Sequence, residues 1–220
     1  NKSTIQKHQK DFIGHTEYLE KKFDGESLMM MISENMKIAF LTSHIPLAKV
    51  TDFLTKEKIV STLANLNKTL IQDFNIRRPK IAVLSINPHA GENGMLGKEE
   101  SEIITPAIHI SKNEKNILAF GPFAADSFFI PQNLKSYDAI LSMYHDQGLI
   151  PFKTLSFSKG INYTSGLSIV RTSPVHGTAY NIAGKNIANV DSFRESIYLA
   201  CQIIKTRKQY FSLQDNALFE

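Results

Sequence analysis

Three histidines stand in short polar segments, each placed directly after an apolar run. The segments are Thr42-Ser43-His44-Ile45-Pro46-Leu47, Asn87-Pro88-His89-Ala90-Gly91 and Met143-Tyr144-His145-Asp146-Gln147-Gly148. The runs before them, residues 37–41, 80–86 and 138–143, read as buried strands. Strands of one sheet that end on the same side bring distant residues together, and neutral imidazoles then supply nitrogen ligands to one divalent metal. Three ligands leave positions open for substrate, unlike the closed four-ligand set of a zinc finger. For each histidine taken singly, the competing reading is a hydrogen-bonded structural residue in a strand-end loop.

Groups suited to an anionic substrate follow the third histidine. Lys153 and Arg171 bind phosphate or carboxylate, the second through a planar fork, and the Asn162 amide holds a polar substituent. Taken singly they are solvated surface groups; their place in short strand-end segments makes them candidates for one anion site. Asp126 and Asp146 are candidates to orient imidazoles or to transfer protons. Asp126 has a second reading as a helix N-cap, because Ala-Asp-Ser opens a helix.

The elements that must position these groups alternate between strand and helix, which argues for a layered α/β fold. Ile59, Leu63, Leu66, Leu70 and Phe74 recur at helical spacing, with Thr55 or Thr51 as N-cap. Residues 98–111 carry Ile103, Ile104, Ala107 and Ile108 as the next helix, and residues 121–127 form a turn into a short one. Beyond Lys153 lie two short β-prone pieces, 161–164 and 167–170. Ser192 and Glu195 form a capping-box signature ahead of Phe193, Ile197, Ala200, Cys201 and Ile204, which predicts a final helix of about four turns. Met29–Met31 reads as core packing. The glycines of residues 91–97 match neither the dinucleotide fingerprint nor the Walker pattern and read as a flexible active-site loop beside His89.

Composition sets the outer limits. A chain of 220 residues, 42% hydrophobic and 21% charged, has the makeup of a soluble globular protein with one or two domains. No apolar run is long enough to cross a bilayer and no signal-peptide pattern opens the chain, so a cytoplasmic enzyme with no membrane partner is expected. The lone Cys201 excludes an intrachain disulfide and a thiolate metal cluster, and reads as a buried small hydrophobe. The formal charge of +4 comes from scattered lysines without an arginine-rich tract, which argues against nucleic acid and suits a phosphorylated substrate.

Six motifs in order carry a resemblance. They are Gly14-His15-Thr16-Glu17, the segments around His44 and His89 (the latter through Glu92), Gly121-Pro122 with Ala125-Asp126, Tyr144-His145-Asp146-Gln147-Gly148, and Arg171-Thr172-Ser173 with His176-Gly177-Thr178-Ala179. The ordered set resembles the 4-hydroxythreonine-4-phosphate dehydrogenase family of vitamin B6 biosynthesis. The resemblance implies the layered α/β/α fold of the isocitrate and isopropylmalate dehydrogenase type. It also implies NAD- or NADP-dependent oxidation of 4-phosphooxy-threonine and loss of carbon dioxide. By position, His44, His89 and His145 would bind one divalent metal (Zn, Mg or Co), and His15, Thr16, Lys153, Asn162 and Arg171 would contact substrate. Asp126, Asp146 and Lys153 are the candidate catalytic groups. The family is a homodimer with its active site at the subunit interface, so the three ligands need not come from one chain.

A second resemblance concerns the cofactor. His176-Gly177-Thr178-Ala179, with the run through Asn189, is similar to the adenosine-binding loop of isocitrate and isopropylmalate dehydrogenases; alternatively this His-Gly-Thr turn is only a helix cap. The resemblance implies a metal- and substrate-binding, dimerising domain over residues 1–160 and the C-terminal part of a cofactor domain over residues 161–220. Family members carry a stretch ahead of the point where Asn1 stands, so truncation or proteolysis of a longer enzyme is expected, and with it impaired cofactor binding. The rival readings are a dehydrogenase of another phosphorylated hydroxy acid, such as a four-carbon sugar acid, and an inert metal-binding dimeric fragment.

Overall fold

The computed structural model describes residues 15–156, 159–177 and 179–216. A short helix α1 (His15–Glu20) leads to a hairpin of β1 (Gly25–Ser33) and β2 (Met36–Phe40). Then come α2 (Lys56–Phe74), β3 (Lys80–Leu84), a π-helical turn (Glu100–Ile104) running into α3 (Thr105–Lys115), and β4 (Leu118–Phe123). Two short helices, α4 (Ala125–Phe128) and α5 (Pro131–Ser136), precede β5 (Ala139–Ser142). The chain continues through α6 (His145–Ser156), β6 (Ile161–Leu167), β7 (Arg171–Pro174) and the long α7 (Asp191–Asp215).

The strands form one sheet in the order β4-β3-β5-β2-β1-β6-β7. From β4 to β2 the neighbours run parallel; β1, β6 and β7 extend the sheet antiparallel. The boundary expected near residue 160 falls between α6 and β6, and backbone pairing continues across it because β6 bonds to β1.

Both faces of the sheet are covered, which explains why the central parallel strands β2, β3 and β5 are largely apolar. Alternate residues go to opposite layers. Met30, Ala39, Ile81, Val83 and Leu141 pack with α2, α3 and α7, whereas Met31, Ile38, Phe40, Ala82, Leu84 and Ile140 pack with Phe128 of α4 and Phe152 of α6. The methionine run is thus core. In α2 the stripe Ile59, Leu63, Leu66, Leu70 is fully buried, an apolar contribution of roughly 6–12 kcal/mol. Thr55 caps this helix, its hydroxyl accepting the Lys58 N–H (3.1 Å), and Asn75 ends it in the left-handed region. Helices therefore lie on both faces of the sheet, a layered α/β fold.

The final helix differs from its sequence reading in three ways. It runs for 25 residues, about seven turns rather than four. Ser192 is not an N-cap: it lies inside the first turn, donates to the Gly160 carbonyl (2.7 Å) and accepts the Val175 N–H (3.2 Å). Val190 holds the N-cap position with no side-chain cap, and just ahead of it the Asn189 side chain accepts the Asp191 N–H at 2.7 Å. The third difference is the face: Ser192, Ser196, Leu199, Ile203 and Arg207 are buried, while Phe193, Ile197, Cys201 and Ile204 are exposed. Cys201 is therefore not a core residue. The cause is an anchor near the helix end. Arg207 reaches Asp73 of α2 (Nε to Oδ1, 2.6 Å), donates to Tyr163 Oη (3.0 Å) and donates to the carbonyls of Leu167, Ser168 and Ile169. Tyr163 in turn donates to Asp73. No described helix is long and apolar enough to cross a membrane.

Candidate active site

The three histidine segments leave the sheet from β2, β3 and β5, which are adjacent, parallel and central. Their C-terminal ends therefore share one edge. Beyond β2 the pairing persists, with the Leu41 N–H donating to the Ser142 carbonyl (2.9 Å) and the buried Thr42 hydroxyl to the Met143 carbonyl (2.7 Å). This staple brings the next loops together, so that the rings of His44 and His145 lie 6.0 Å apart.

His145 opens α6, and Asp146 Oδ1 lies 2.7 Å from its Nδ1. A carboxylate on Nδ1 places the proton there and turns the other ring nitrogen into the free acceptor. The helix can start so close to the sheet because residue 148 is glycine: a Cβ there would stand 2.7 Å from Ser142 Oγ and 2.8 Å from Ile38. Gln147 ties the loops further. Its Oε1 accepts the Met143 N–H (2.7 Å) and its Nε2 donates to the Ser85 carbonyl (2.6 Å), joining the end of β5 to the end of β3.

His89 sits in a different kind of turn. Residues 89–93 all have positive φ, from 43° to 80°, and four of the five are not glycine. The entry to this turn is held by hydrogen bonds: Glu100 Oε1 accepts the N–H groups of Ile86 (2.9 Å) and Asn87 (2.8 Å), and the Asn87 amide donates to Glu99 and Glu100. Hydrogen bonds from its own backbone N–H and from Asn87 hold the Glu99 carboxyl below its ordinary range. His89 Nδ1 faces Asp126 Oδ2 at 3.9 Å, both side chains being exposed. Asp126 is not the N-cap of α4. Ala124 holds that position, no side chain caps the helix, and Asp126 lies in the first turn.

The edge thus carries two half-sites in one chain, His44 with His145 and Asp146, and His89 with Asp126. Among the described residues no group of three or more His, Cys, Asp or Glu stands close enough to hold a metal ion. The donor chemistry suits a divalent metal, but a single chain does not close the three-histidine set read from sequence. Thr16 lines the same pocket as His44, of about 180 Å³; the side chain of His15 lies outside the description. A groove of about 1010 Å³ near α2 and α7, which includes Lys68, Asp73 and Phe211, lies away from the histidines. None of the three histidines lines it, and the strand-end edge remains the candidate site.

Lys153 is not in a strand-end segment as expected: it lies in the last turn of α6. Asn162 and Arg171 do lie on strands, paired in register with Ser173 and Thr164 respectively, and Arg171 donates to Thr164 Oγ1 (3.2 Å). Asn162 also stands opposite Met31, whose side chain packs with Phe152 of α6, so Asn162, Arg171 and the helix bearing Lys153 belong to one face of the sheet. Burial lowers the Arg171 pKa. The Asn162 Oδ1 is buried and has no hydrogen-bond partner among the described residues. Of the residues read as the adenosine loop, His176 and Gly177 are exposed, a Cβ on Gly177 would meet nothing within 4 Å, Ala179 is left-handed, and Asn189 accepts the Asp191 N–H. Thr178 lies outside the described residues.

Three residues that shape this edge went unassigned in the sequence: Thr42, Gln147 and Glu100. Thr42 and Gln147 sit inside the histidine motifs, whereas Glu100 stands in the charged run Lys98-Glu99-Glu100-Ser101-Glu102, where no local pattern marks it as the buried one.

The family described as Pyridoxal phosphate biosynthetic protein PdxA matches residues 1–200. The chain belongs to the PdxA family. It is similar to the 4-hydroxythreonine-4-phosphate dehydrogenase of Bacteroides thetaiotaomicron, 48% identical over 220 residues, which covers 99% of this chain and 60% of that protein. The Sulfurihydrogenibium protein of the same name is 44% identical over 198 residues, covering 90% and 61%. The chain thus spans about 60% of the length of these PdxA relatives. Among solved structures, the Klebsiella pneumoniae 4-hydroxythreonine-4-phosphate dehydrogenase superposes with a TM-score of 0.80 at 36% identity, over 92% of this chain and 62% of that one. A terephthalate 1,2-cis-dihydrodioldehydrogenase from Burkholderia xenovorans LB400 (TM-score 0.68, 24% identity, 86% and 60% covered) shares the fold.

Proposed function

We propose that the chain is the metal- and substrate-binding part of a 4-hydroxythreonine-4-phosphate dehydrogenase of pyridoxine 5'-phosphate biosynthesis, a cytoplasmic enzyme. The reaction is oxidation of 4-phosphooxy-L-threonine by NAD or NADP to 2-amino-3-oxo-4-phosphooxybutanoate, which loses carbon dioxide to give 3-amino-2-oxopropyl phosphate. Besides family membership, one observation supports this most: the three histidine loops leave adjacent parallel strands at one edge, with His44 and His145 already side by side.

His44, His89 and His145 would hold one divalent ion, Zn, Co or Mg. Because His89 stands apart from the pair in one chain, the set closes across a homodimer, each site drawing on both subunits. Bound there, the ion would supply Lewis acidity toward the substrate's alcohol oxygen. Asp146 and Asp126 keep the imidazoles oriented and are the carboxylates available to take the hydroxyl proton. Lys153 and Arg171 bind the anionic groups, His15 and Thr16 are further substrate contacts, and Lys153 Nζ is the proton donor to the carbon that loses carbon dioxide. The adenosine portion of the cofactor falls to His176, Gly177, Thr178, Ala179 and Asn189. Asn162 is assigned to the polar substituent of the substrate, the amino group in this reading.

The test is turnover of 4-phosphooxy-threonine by the intact protein with NAD or NADP and each metal, read as reduced cofactor. His89→Ala is expected to abolish metal-dependent turnover. Normal activity with retained metal content in that variant overturns the ligand assignment, and preferential turnover of a phosphorylated four-carbon sugar acid overturns the substrate.

A further inference from the structure

We infer that Glu100 is the positioning residue for His89, a carboxylate that holds the left-handed turn from which the imidazole projects. The inference rests on the reading of His89 as a site residue. Beyond Leu84 the chain leaves the sheet, so the N–H groups of Ile86 and Asn87 lose their ladder partners and need others. Both go to one atom, Glu100 Oε1, at 2.9 and 2.8 Å, while Oε2 accepts from the Asn87 side chain at 2.9 Å.

Glu100 is only 5% exposed, and among the described residues it has no salt bridge. A buried carboxylate without a cation is costly unless N–H donors replace its water, and here three do. Such an arrangement persists where its geometry serves something else.

What it serves is the turn that follows. Left-handed backbone is strained for any residue with a Cβ, and His89, Ala90, Glu92 and Asn93 adopt it in one run with Gly91. Strain of this kind survives only where the surroundings over-determine it. The turn wraps the Glu100 carboxylate: a Cβ on Gly91 would stand 2.7 Å from Oε2. Glu100 touches neither His89 nor Asp126, so it acts through the backbone of residues 86–91. When the carboxylate is removed, the turn relaxes toward right-handed backbone and His89 leaves its place opposite Asp126.

The experiment compares Glu100→Ala, Glu100→Gln, His89→Ala and Leu70→Ala in the 220-residue chain, the last destabilising the core away from the turn. Two readouts are taken: amide hydrogen exchange over residues 86–94, and affinity for Co²⁺ alone, by calorimetry and by its visible spectrum. For Glu100→Ala, exchange at the turn should rise at least about tenfold and Co²⁺ affinity fall about 10–100-fold. Glu100→Gln keeps an acceptor for the two backbone N–H groups and should fall between, which decides the matter if the alanine variant does not fold. Leu70→Ala should move neither readout beyond its global loss of stability. Wild-type exchange at the turn in both Glu100 variants overturns the inference. So does Co²⁺ affinity that His89→Ala weakens and Glu100→Ala leaves unchanged. Should His89→Ala bind Co²⁺ like the wild type, the ligand reading fails by itself, and exchange at the turn still decides the role of Glu100.

Discussion

Replacing Arg207 by methionine isolates the force that orients α7. The side chains of Arg207 and Asp73 are 10% and 1% exposed, and the guanidinium meets the carboxylate twice, Nε to Oδ1 at 2.6 Å and Nη2 to Oδ2 at 3.1 Å. Methionine preserves most of the stem packing but leaves the carboxylate with Tyr163 and Gln72 as donors, and strips three carbonyls of theirs. Breaking a buried pair from one side costs about 3–5 kcal/mol. Total stability is about 5–15 kcal/mol, so the loss is a large share of it. At about 2–4 °C per kcal/mol for a chain of this size, Tm should fall by roughly 6–20 °C. Thermal melts and urea titrations of Arg207→Met read this directly. The double variant Asp73→Asn/Arg207→Met removes both charges, keeps an acceptor for Tyr163, and should regain at least half of the loss. A single variant within about 0.5 kcal/mol of wild type, or a double no better than the single, refutes the reasoning.

Thr42→Val keeps the shape of the staple but removes its 2.7 Å bond to the Met143 carbonyl; urea denaturation should show a loss of about 1 kcal/mol. Tyr163→Phe should alter the alkaline arm of stability. Burial, then the Asp73 carboxylate, raises the Tyr163 pKa far above that of an unfolded tyrosine. The folded state therefore binds the extra proton above about pH 10, and stability from this group is complete below that pH and falls as pH rises. Urea titrations between about pH 9 and 11 should show the variant's slope shallower by up to about 1.4 kcal/mol per pH unit; equal slopes would sink the assignment.

Much of the fold was legible in the residues because its signals are local. The stripe from Ile59 to Leu70 with Thr55 ahead of it specifies α2 and its start, and the unbroken apolar runs before each histidine specify strands covered on both faces. β1, and with it the hairpin to β2, is not legible because a methionine run has no strand alternation of its own. Lys153 was misplaced because Pro151 interrupts the helical pattern, yet α6 passes through it.

The order of the motifs determined the family, and the residue types determined which chemistry the edge can carry. Which strands are neighbours, which face of α7 is buried and which loops meet were decided only by the tertiary structure. Phe193, Ile197 and Ile204 make the more apolar stripe of the last helix, yet the other face is buried, where Leu199 and Ile203 join the core and Arg207 reaches the buried Asp73. Three histidines spaced along the chain look alike as sequence. Parallel pairing of β2 with β5 sets His44 beside His145, while a left-handed turn holds His89 with Asp126 apart from them. Such contacts between residues about a hundred positions apart depend on sheet order and on buried hydrogen bonds, neither of which leaves a local pattern in the sequence.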